Sequence, residues 1–65
     1  MDGYERIRAA VIRKAMSDYL IALKTKNLHA QKSLERFFLS DWGELLSYGH
    51  GEYIIEWCKK RIENN

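Results

Sequence analysis

Sixty-five residues, 46% of them apolar and 31% charged, with no proline and one cysteine, describe one small ordered domain spanning 1–65. They exclude a disordered tail, a disulfide-stapled fold and a second domain. Eleven Lys and Arg against nine Asp and Glu give a net charge of +2, too weak and too dispersed for a dedicated nucleic-acid binder. A chain this short buries only about 60% of the surface its unfolded form exposes, so stability is marginal and a partner subunit that covers apolar surface adds to it. No apolar run approaches the roughly 20 residues that cross a bilayer, and the N-terminus lacks the pattern of a signal peptide. With Cys58 alone, the expectation is a soluble protein of a reducing, cytoplasmic compartment.

Met1, Asp2 and Gly3 read as a short lead in which Asp2 is suited to cap a helix. From Tyr4 to Lys24, a 100° period gathers Tyr4, Val11, Ile12, Ala15, Met16, Tyr19, Leu20, Ala22 and Leu23 on one side. Such a face is broad enough to pack against two other helices. Arg6, Arg13, Ser17 and Lys24 fall opposite, and Ile7 and Ile21 lie off the main stripe, which makes Ile21 a candidate for a second contact. Thr25-Lys26-Asn27 predicts a tight turn, with Asn27 either capping the next helix or turning left-handed. Leu28 to Leu39 is again helical, with Ala30, Leu34, Phe37 and Phe38 on one side and His29, Lys32, Ser33 and Arg36 on the other, and it should run antiparallel to the first helix.

Ser40-Asp41 starts a new short helix, and Asp41 with Glu44 has the spacing of a capping box. Trp42, Leu45 and Leu46 give that helix an apolar side before Ser47-Tyr48-Gly49-His50-Gly51 breaks the pattern. The last helix, Glu52 to about Asn64, carries Ile54, Ile55, Cys58 and Ile62 on one face, with Tyr53 and Trp57 along a border. Its acidic residues come early and its basic ones late, each set opposing the helix dipole. Because Phe37, Phe38 and Trp42 fall within six positions, the core is expected around them.

No motif specifies a chemistry. Gly49-His50-Gly51 before a helix has the outline of a phosphate cradle. It lacks the preceding strand and the Lys-Ser/Thr pair, and Glu52 puts negative charge where phosphate would sit. His50 and Cys58 stand eight residues apart, off the spacing of metal pairs, and Cys58 lies on an apolar face where thiolate is disfavoured. No catalytic residue, metal, cofactor or small-molecule substrate is therefore expected. Lys59-Lys60-Arg61 matches the dipole, and the start of its helix lacks the polar side chains that read bases.

Two surfaces remain. Tyr48, Tyr53 and Trp57 around the glycine turn, with Ile21 elsewhere, are candidate protein-interface residues. Arg6, Arg13 and Lys24, joined by Lys32 and Arg36, are candidates for contacts to a phosphate backbone. The run Glu35-Arg36-Phe37-Phe38, then Ser40, Trp42 and Leu46, then Gly51-Glu52-Tyr53-Ile54-Ile55, resembles small uncharacterised proteins of Firmicutes prophages and mobile elements, over the second half of the chain. The resemblance implies a bacterial or phage accessory setting and no mechanism. The similar proteins tend to carry Asp where His50 stands, which implies no ligand or catalytic role for His50.

The expectation is an all-α bundle of three main helices with a short helix between the second and third. Its leading function is that of a noncatalytic interaction or regulatory module that binds a protein, another copy of itself included. Nucleic-acid binding through the basic side of the first helix is the alternative.

Overall fold

In a computed structural model that describes residues 2–64, the side chain of Asp2 aside, helix α1 runs over Asp2–Lys24 and already contains Gly3, so the expected lead is shorter. The expected Asp2 cap lies outside the described residues. Ala15, Tyr19 and Ala22 are buried from its stripe, while Tyr4 and Val11 are exposed, Val11 along an open groove shared with Leu34 and Phe37. Helix α1 ends in a Schellman arrangement: Asn27 N–H donates to Ala22 carbonyl at 2.9 Å and Lys26 N–H to Leu23 carbonyl at 3.3 Å, with Lys26 left-handed at φ 56°. Asn27 takes the capping role, its side chain accepting from Ala30 N–H at 3.1 Å to open α2, Leu28–Leu39. The pairings Tyr19 with Glu35 and Gln31 with Ala22 run in opposite directions along the two helices, so α1 and α2 are antiparallel.

Ser40 ends one helix and starts the next. Its extended backbone (φ −73°, ψ 165°) stops α2, and its hydroxyl accepts from Gly43 N–H at 3.1 Å to cap α3, Asp41–Leu46. The expected capping box does not form. The Glu44 carboxylate instead accepts from Gly51 N–H at 3.1 Å, capping the following helix α4, Gly51–Glu63, for which His50 supplies no side-chain bond. Gly43 and Gly51 are both buried where no Cβ fits: one added at Gly43 would strike the Phe37 carbonyl, and one at Gly51 the Phe38 carbonyl.

The fold is an all-α bundle in which α1, α2 and α4 pack mutually and short α3 sits against α1 and α2. Ala15, Tyr19, Phe38, Ile54, Ile55 and Cys58 form the buried core. The Tyr19 and Phe38 rings meet edge-on at 6.0 Å, and Phe37 and Phe38 at 5.6 Å. Phe38 is the centre of the expected aromatic nucleus and Phe37 is partly buried, but Trp42 is 63% exposed and is not core. The reason is Gly43: α3 approaches the end of α2 so closely that the glycine and Leu46 take the inner face, which turns Trp42 and Leu45 outward. Among the described residues, no helix is long and apolar enough to cross a membrane.

Candidate functional site

The candidate site begins with a charge on an apolar face. Arg8 precedes Ile12, Ala15 and Tyr19 at helical spacing, so α1 carries its guanidinium inward, where the side chain is only 19% exposed. There it meets the C-terminus of α3. Arg8 Nη1 donates to the Leu46 carbonyl at 2.9 Å and supplies the cation that the last turn of α3 lacks. Arg8 Nη2 donates to Glu5 Oε2 at 3.2 Å, and the Tyr48 hydroxyl donates to Glu5 Oε1 at 2.6 Å. The Tyr48 hydroxyl, followed by the guanidinium, holds the Glu5 carboxyl below its ordinary value, and the same carboxylate pushes the Tyr48 hydroxyl up.

Tyr48 follows the Ser47 C-cap of α3 in a left-handed conformation, φ 57°, which a side chain of this size adopts only against resistance. Gly49 continues it at φ 80°, and its N–H donates to the Glu44 carbonyl at 2.7 Å, closing a second Schellman arrangement. Two contacts position the Tyr48 side chain: the bond to Glu5, and the Arg8 guanidinium carbon 4.3 Å from its ring centroid. Beside this cluster Ile12, Ile54, Tyr48, Tyr53, His50, Arg8 and Ser47 line a cleft of about 410 Å³. Of the buried side-chain polar atoms among the described residues, Arg8 Nε and Ser47 Oγ have no hydrogen-bond partner, and both belong to residues of this cleft. A larger groove of about 540 Å³ runs between α1 and α2 along Val11, Leu34 and Phe37. Its charged residues, Lys14 and Asp18, pair with each other at 2.9 Å.

The structure brings Tyr48 and Tyr53 to one cleft and leaves the other interface candidates apart. Trp57 lies one turn beyond Tyr53 in a separate groove, with the Arg61 guanidinium 5.5 Å from its ring centroid. Ile21 is 56% exposed but stands about 20 Å along α1 from Arg8. Arg6, Arg13 and Lys24 are exposed and strung over about 27 Å of α1, a sparse row against the charge density of a nucleic acid; Lys32 and Arg36 are exposed on α2. Cys58 is fully buried, and burial pushes its thiol up, with Arg61 opposing weakly. No group of three or more His, Cys, Asp or Glu that could hold a metal occurs among the described residues.

Sequence reasoning missed Arg8, Glu5 and Ser47. Arg8 carried a legible signal, a charge in the apolar register of Ile12, Ala15 and Tyr19, whereas nothing in the sequence marks Ser47 as buried.

Fold and site together define a small helical bundle bearing an aromatic-rimmed cleft, two of whose lining residues carry buried polar atoms without partners. No family model, curated protein or solved structure matches the chain.

Proposed function

We propose that the chain is a noncatalytic binding module that docks a protein partner at the cleft between α1 and the α3–α4 turn. The observation that carries this reading is the pair Tyr48 and Tyr53, 60% and 68% exposed, flanking a largely apolar cleft in so short a chain. Half-exposed tyrosines around a concavity supply large contact area at low conformational cost, the usual anchor of an interface. A second copy of the chain is one candidate partner. The unpaired Cys58 favours a reducing, cytoplasmic setting for this activity. The test is capture of partners on immobilised protein, with self-association followed by light scattering. Tyr53→Asp should abolish the association that wild type and Ile21→Asp retain. Capture undiminished by Tyr53→Asp would place any interface elsewhere.

A further inference from the structure

We propose that the cleft recognises an uncharged amide carrying an apolar side chain, the chemistry of a peptide segment, with Arg8 Nε and Ser47 Oγ as hydrogen-bond donors and Tyr48 as a movable cover. The proposal rests on the reading of the cleft as a protein-docking site and names what enters it. Ser47 is 5% exposed, and its hydroxyl, like Arg8 Nε–H, is sealed from solvent without a partner. Leaving two polar groups so is unfavourable, and a ligand that satisfies both recovers that loss. A carbonyl oxygen has two lone pairs and can accept from both donors.

The charge of the site decides the class of ligand. Glu5 already neutralises Arg8 and is bound again by Tyr48, so a carboxylate or phosphate entering here meets a matched cation and a nearby like charge. What the cleft lacks is an acceptor, not an anion. Ile12 and Ile54 offer the apolar lining for a side chain of leucine size within about 410 Å³.

Tyr48 lies over one of the two donor groups. Its ring covers the guanidinium carbon to which Nε is bonded, yet the residue is 60% exposed and sits in a left-handed conformation next to Gly49. The left-handed backbone belongs to the Schellman turn and stays in place, as it does at Lys26, while the exposed Tyr48 side chain rotates away from Arg8.

The experiment is a ¹H–¹⁵N titration that follows backbone amides and the Arg Nε–H signals, with N-acetyl-leucinamide as probe and N-acetyl-leucine as its anionic counterpart. The amide should produce saturable shifts at Arg8 Nε–H, Ser47 and Tyr53 in the millimolar range expected of so small a ligand. The carboxylate should bind more weakly. Ser47→Ala should stay folded, since it deletes an unpartnered hydroxyl, and lose about tenfold in affinity for the amide. Absence of saturation with the amide, equal affinity in Ser47→Ala, or preference for the carboxylate would overturn the proposal. If the amide fails while Tyr53→Asp still abolishes partner capture, the ligand chemistry falls and the docking surface stands. If the amide saturates while Tyr53→Asp captures normally, the reverse holds.

Discussion

Gly51 begins α4 against the backbone of Phe38, and an alanine there drives a methyl into a carbonyl that α2 cannot move without losing its last turn. Gly51→Ala should therefore destabilise the fold by about 1–3 kcal/mol, read as a lower urea midpoint at unchanged slope. Gly49 has open space around its Cα and φ 80°, so Gly49→Ala tests backbone strain alone and should cost about 1–2 kcal/mol. Lys26 presents the opposite case. It is exposed and holds the left-handed position of the first Schellman turn, where glycine is at ease. Lys26→Gly should raise stability by about 1 kcal/mol, seen as a higher melting temperature.

Among the helices, α2 and α3 divide the work differently from the aromatic pattern of the sequence. Phe38 is fully buried and touches Tyr19 and Phe37 edge-on, so Phe38→Ala should remove about 3–5 kcal/mol, enough to unfold much of a domain of this size. Trp42→Ala should change stability by only about 0.5 kcal/mol. Circular dichroism melts of the two variants separate these outcomes. The inner face of α4 was legible because Ile54, Ile55 and Cys58 repeat at helical spacing with nothing to contradict them. The inner face of α3 was not. A six-residue helix offers too few positions for a period to show, and the contact that orients it is backbone against backbone through Gly43, which leaves no hydrophobic trace in the sequence. Arg8 stood in the apolar register and could have been read as an inward charge, but its partners, the Leu46 carbonyl and Glu5, depend on where α3 comes to rest.

Across the whole molecule, three helices meet at one carboxylate. The Tyr19 hydroxyl on α1 donates to Glu35 Oε2 of α2 at 2.5 Å, and Lys59 Nζ of α4 lies 3.9 Å from the same oxygen. Burial first, then the bond to Glu35, pushes the Tyr19 hydroxyl far above its ordinary value of 10.0. A hydroxyl raised on folding contributes stability that is fully present below its unfolded value and is lost as the pH climbs beyond it. Wild type should therefore weaken steeply above pH 10, and Tyr19→Phe should flatten that loss while lowering stability at neutral pH by about 1–2 kcal/mol, checked by urea titrations across pH. Glu5 acts at the other end of the scale: its lowered carboxyl contributes stability above its ordinary 4.5 that disappears as acid protonates it. The bonds from Tyr48 to Glu5 and from Arg8 to Leu46 reach 43 and 38 residues along the chain from the turn of α1 they hold, while Gly3 to Ile7 are otherwise exposed. That makes the start of α1 the segment expected to open and reclose first, while Tyr19, Phe38 and Cys58 stay packed. Its amides should exchange with deuterium well before those of Tyr19 to Leu23, and losing the Tyr48 ring should widen the gap.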